Sequence, residues 1–172
     1  MKRIAAVALV IPIVLVLGMG NALATGGGAT VESFPVGFEL STDTCSHLPD
    51  GASVTGTGTE RSVTVVRVIG GVTMIINTTH ASGTAVDQDG NTYVFQYSNE
   101  FRLFNSPSNQ DVFTGLMTDH FSMTGPGPAT LVNGFVARIT ASADFSSFSA
   151  QPISSRGDPI TFPEGEEHCD PL

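Results

Sequence analysis

The chain has 172 residues, with 16 Asp and Glu against seven Lys and Arg, a formal net charge of −9. That balance argues against nucleic acid as a partner, because affinity for phosphate comes largely from Lys and Arg, and it disfavours an anionic membrane surface for the same reason. The length suits one domain, large enough to bury a core without a metal or a partner subunit.

The first residues read as a secretory signal peptide. Lys2 and Arg3 precede the apolar run Ile4 to Leu17, and Ala22-Leu23-Ala24 supplies small residues at a cleavage site. The run falls short of the roughly 18–20 residues that span a bilayer, and Pro12 interrupts it. The expectation is a signal-peptide helix over residues 1–24, cleaved after Ala24, and a secreted, extracellular product. The alternative is a retained anchor over residues 4–20. No integral membrane partner is implied. Cleavage leaves 148 residues with five Arg, no Lys and a balance of −11. Without lysine, Schiff-base chemistry is excluded. Residues 25–30 read as a flexible lead-in to a single β domain over 31–172.

After residue 24 no helix-period segment stands out. Short runs of period-2 alternation recur, cut by Gly, Asn, Asp and Pro. Ser62 to Val68 and Val72 to Asn77 form a hairpin across Gly70-Gly71. Gly83 to Val86 starts another strand, and Asp89-Gly90 turns it into Asn91 to Tyr97, where Tyr93, Phe95 and Tyr97 share a face. Phe101 to Phe104 continues past a bend. Asp111 to Met117 and His120 to Thr124 are two strands or one long one. Gly125-Pro126-Gly127-Pro128 is a turn. Ala129 to Ala141 alternates well, with Gly134 marking a bulge or corner. A Ser-rich stretch and a short strand over Pro159 to Phe162 complete the chain. The sum is an all-β domain, an antiparallel barrel of about eight to ten short strands, with a β-sandwich as the alternative.

Cys45 and Cys169 are the two cysteines. In an oxidising compartment an even pair reads as a disulfide. That bridge would bring together His47 and His168, with Asp43, Asp50, Glu166, Glu167 and Asp170 nearby in sequence. Two imidazoles among carboxylates are a speculative metal site, although a solvated polar collar around the disulfide is the plainer reading. No cofactor is implied. Asp87-Gln88-Asp89-Gly90-Asn91 lacks the twelfth-position Glu of a calcium loop and reads as a turn. His80 and His120 read as surface or rim residues. Asn77-Thr78-Thr79 is a formal glycosylation acceptor, relevant only in a glycosylating host. No nucleophile elbow, H-E-x-x-H, C-x-x-C or phosphate loop is present.

The aromatic residues are the remaining signal. Tyr93, Phe95, Tyr97, Phe113 and Phe121 are expected either to fill a core or to line an apolar cavity for a small ligand. The order of signal peptide, Cys45-Ser46-His47-Leu48-Pro49, Val/Thr/Gly-rich hairpins and terminal His168-Cys169-Asp170-Pro171-Leu172 resembles small secreted β proteins of actinobacteria with no assigned function. The resemblance implies a compact barrel, export and no known activity. Lipocalins are a second comparison, but their Gly-x-Trp hallmark cannot be present in a chain without Trp. The expected function is therefore a non-catalytic structural or interaction module, meeting an extracellular protein or other partner. The alternatives are a lipocalin-like binder of a small apolar ligand, and a metal-binding protein or hydrolase.

Overall fold

The computed structural model describes residues 28–42, 45 and 48–157. Within them seven strands form one sheet: β1 (Ala29–Ser41), β2 (Ser53–Ile69), β3 (Val72–Asp87), β4 (Thr92–Ser106), β5 (Asn109–Thr124), β6 (Leu131–Ser142) and β7 (Phe148–Gly157). Their spatial order is their sequence order, and every neighbouring pair is antiparallel. No helix occurs among the described residues.

The all-β antiparallel expectation therefore holds, and two of its details are corrected. Among the described residues the strands are seven, of 10 to 17 residues, longer than the short strands expected. Nor is the sheet closed into a barrel: among the described residues β1 and β7 share no ladder, and no second sheet faces the first. The edges themselves explain the lack of closure. Pro35 lies in β1 and Pro152 in β7, and β7 is bulged at Ile153, where the register shifts between Val136 and Ala137. Prolines and bulges deprive an edge of the regular donors a further ladder would need. The expected bulge at Gly134 is absent, since Gly134 pairs in register with His120. The signal peptide, the Pro159 to Phe162 strand and the C-terminal tail lie outside the described residues.

The turns follow from residue chemistry. Gly70 and Gly71 have φ of 59° and 79°, the pair of positive values that a two-residue hairpin between Ile69 and Val72 demands. At the β3–β4 turn, Gly90 has φ of 82°. Asp87 closes that turn by accepting from the Asp89 and Asn91 amides (3.0 and 2.8 Å), Asn91 Nδ2 (2.8 Å) and Tyr93 Oη (2.8 Å). Tyr93 Oη in turn accepts from the Ala129 amide at 3.1 Å, tying this turn to the approach of β6.

Burial opposes the Asp87 charge, but these four hydrogen bonds outweigh it and hold the carboxyl below its usual range. In the β6–β7 turn Asp144 is pulled down to about 2, first by the Ser142 hydroxyl and then by the amide and hydroxyl of Ser146. A depressed carboxyl stabilises the fold above its unfolded pKa, and that contribution is lost as pH falls through the folded value. Both turns should therefore loosen below the ordinary Asp value of about 4, with the Asp144 turn released near pH 2. Hydrogen exchange at the Asn91 and Ser146 amides measures this. Protection that stays constant from pH 5 to 2 would contradict it.

The sheet is strongly curled. On a flat sheet Phe38 of β1 and Phe121 of β5 would be at least about 19 Å apart, from four strand steps of roughly 4.8 Å alone. Their ring centroids are 6.0 Å apart, and Phe38 and Phe95 are 5.0 Å apart and edge-to-face. Glycines make room for the rings. A Cβ on Gly56 would overlap the Phe38 ring, and one on Gly58 or Gly83 would stand 2.7 Å from the Phe95 ring. Gly58 and Gly83 are register partners, so β2 and β3 present a bare strip of backbone on which Phe95 lies.

Side chains alternate between the two faces of a strand. With the register fixed, one inner face runs through Phe38, Leu40, Val54, Ala81, Ala85, Tyr93, Phe95, Tyr97, Phe121, Met123 and Leu131, all buried. A second cluster, Leu103, Phe113 and Ile139, lies toward the other end of the same face. A polar band separates the two.

Candidate functional site

The inner polar band is one cross-strand row: Ser62, Thr79, Asn99 and Asp119 are successive register partners on β2 to β5. Asn77 Nδ2 donates to the hydroxyls of Ser62 (2.8 Å) and Thr64 (2.9 Å), and Thr79 Oγ1 donates to Asn77 Oδ1 (3.0 Å). Asp119 is 4% exposed; its Oδ2 accepts from Tyr97 Oη (2.8 Å) and Asn99 Nδ2 (2.6 Å). Glu60 stands beside this band, and its carboxyl is raised by partial burial. The band pins the register of β4 against β5, because a slip by one residue would strand these groups on the wrong face. Asp119→Ala should lower stability by about 1–3 kcal/mol, the cost of leaving buried donors unpaired. Urea unfolding measures it, and an unchanged midpoint would show that the band carries no such role.

The aromatic residues expected to line a ligand cavity are on this inner face. Tyr93, Phe95 and Phe121 have no exposed surface, and Tyr97 is buried with them. Phe113 is on the same face but in the second cluster, where it packs with Leu103 and Ile139 and stacks on Phe145 at 6.0 Å. His47, His168 and Cys169 lie outside the described residues, as does any metal site they form. Cys45 is fully buried, in the larger cluster with Leu48 and Ala52. Among the described residues no group of three or more His, Cys, Asp or Glu gathers.

The outer face carries a different feature. Ser33, Arg61, His80, Ser98 and His120 are successive register partners across β1 to β5, and the row continues through Gly134 to Arg156 on β7. Around its centre is a hollow of about 590 Å³. Arg61 supplies a guanidinium to its lining and His80 and His120 imidazoles; Ser33, Thr59, Ser82 and Ser98 supply hydroxyls, Gln96 an amide, and Ala81 and Tyr97 complete it. No carboxylate lines it. The sequence puts His80 and His120 at the surface or rim; both are mid-strand, 40 positions apart, and only the register sets them in one row.

Charge is divided between the faces. All five arginines that follow the N-terminal region (Arg61, Arg67, Arg102, Arg138 and Arg156) and both described histidines have outer-face register positions. Strand carboxylates on that face are Glu39 and Glu100, and Glu100 is held by Arg102 at 2.7 Å. Glu32, Glu60, Asp87 and Asp119 have inner-face positions. Among the described residues Arg102 is the one arginine with a carboxylate partner. Solvation alone would send acids outward as readily as bases, so the division is a property of this sheet.

No family model, no curated protein and no solved structure matches the chain. No helix among the described residues is long and apolar enough to cross a membrane.

Proposed function

We propose that the chain is an exported, non-catalytic recognition module whose working surface is the hollow on the outer face. The observation that carries this reading is the hollow itself: about 590 Å³ lined by hydroxyl, amide, imidazole and guanidinium groups, on a sheet whose opposite face is occupied by its own aromatic residues. Such a lining offers many hydrogen-bonding groups beside a comparable share of apolar surface, to which Ala81 and Tyr97 contribute, and it suits a hydroxylated ligand with apolar ring faces. Export rests on the n-region, apolar run and Ala-x-Ala of the first 24 residues, and in that compartment Cys45 and Cys169 pair.

The non-catalytic part rests on the backbone. Ser98 stands between His80 and His120 in the row, a hydroxyl flanked by two imidazoles. Yet β4 is paired on both sides there, so its amides are engaged in ladders. A pair of free N–H groups, the usual means of stabilising an oxyanion, is not on offer. Turnover of any ester or glycoside that His120→Ala abolishes would overturn this.

The test of the module is titration of the labelled chain with neutral and acidic hexose oligosaccharides, following amide shifts. Shifts should centre on β2 to β5 around the hollow, and Ser82→Trp, which fills it from an exposed position, should remove them. Binding that survives Ser82→Trp would place the site elsewhere. An apolar-ligand role for the inner face is the weaker reading, because Tyr93, Phe95 and Phe121 already have no exposed surface.

A further inference from the structure

We propose that the ligand of the outer face is an extended acidic polysaccharide, a uronate chain laid across the strands along the row Arg61, His80, His120 and Arg156. This rests on the reading of the hollow as a binding surface and adds the class of ligand.

Three observations converge. The first is sign: the chain is acidic overall, at −9, yet this face holds five arginines and two strand carboxylates, one of them engaged by Arg102. A surface of opposite sign to its own protein selects an anion by complementarity. The second is alignment: the four groups occupy a single register row on β2, β3, β5 and β7. Five strand steps of roughly 4.8 Å make the row about 24 Å long, measured along the curled surface. A point anion would use one of these groups; a polymer with a carboxylate on each residue can use them in turn.

The third is the chemistry between the charges. Ser98 lies in the row between the two histidines, with Ser82 and Gln96 one step along the strands. These groups both donate and accept, which matches the hydroxyls of a sugar better than the carboxylate-only side chains of an acidic peptide. No Phe, Tyr or Trp has a position in the row, so the broad ring on which a neutral sugar most often stacks is not provided.

Calorimetry of the full mature chain with hexagalacturonate, maltohexaose and hexaglutamate tests the assignment. Hexagalacturonate should bind in 20 mM NaCl and weaken in 500 mM. Arg61→Gln and Arg156→Gln should each weaken it roughly tenfold, the loss of one charge-assisted contact. Arg67→Gln, on the same face but three steps away from the row, should leave it within twofold. Equal binding of maltohexaose would overturn the acidic assignment while leaving the module intact. Hexaglutamate binding as tightly would make the partner an acidic peptide. Equal loss in Arg67→Gln would reduce the row to a general charge effect, and no binding by any of the three probes would sink both the assignment and the module.

Discussion

Phe95→Ala should lower stability by about 3–5 kcal/mol, the range for deleting a buried aromatic ring. Phe95 has no exposed surface. It meets Phe38 edge-to-face at 5.0 Å and lies 6.3 Å from Phe121, so it joins β1, β4 and β5. It also covers Gly58 and Gly83, which have no side chains of their own with which to collapse into the space. A cavity lined by backbone on one side relaxes poorly, which puts the cost at the upper end of the range. Phe104→Ala is the control: Phe104 is 41% exposed on the outer face, and a change there should stay within about 0.5 kcal/mol. Urea unfolding of both variants, at unchanged slope, gives the comparison. A loss below 1 kcal/mol for Phe95→Ala would mean that the curled inner face is not the core.

What could be read from the sequence depended on whether a signal was local. The glycine pairs and Asp-Gly announced their turns, because positive φ is a property of single residues. The shared face of Tyr93, Phe95 and Tyr97 needed only strand alternation. Strand length is not legible where the inner face turns polar. Asn77, Thr79, Asn99 and Asp119 break the apolar pattern mid-strand, so one long β3 looked like two short strands. β7 was hidden by its serines and Pro152 and by having almost no buried side chain. Closure depends on what the first and last strands do with their free edges, a contact between residues more than a hundred positions apart. The outer-face row was equally illegible. Arg61, His80, Ser98, His120 and Arg156 carry no motif spacing; five registers must be known before they line up.

Removing the bridge proposed between Cys45 and Cys169 should cost about 2–5 kcal/mol. The sheet makes that staple useful in a way composition alone did not show. Seven antiparallel strands are an odd number, so β1 and β7 run in the same direction. β1 leaves the sheet at Ser41, four residues before Cys45, and β7 leaves at Gly157, twelve before Cys169. Both cysteines thus follow the same end of the sheet, where Cys45 is buried with Leu40, Leu48, Val54 and Leu131. Twelve residues reach up to about 40 Å, ample for Cys169 to approach. The bridge would join covalently the two edges that no ladder joins, closing a loop of 125 residues, for which chain entropy gives about 5 kcal/mol at most. Cys169→Ser should therefore lower the unfolding midpoint and raise hydrogen exchange first in β1 and β7. The β2 to β6 ladders, held by the aromatic clusters, should remain. Thiol titration of denatured, unreduced secreted protein should find no free thiol. Two free thiols per chain would remove the staple and leave the edges β1 and β7 joined by nothing but the sheet between them.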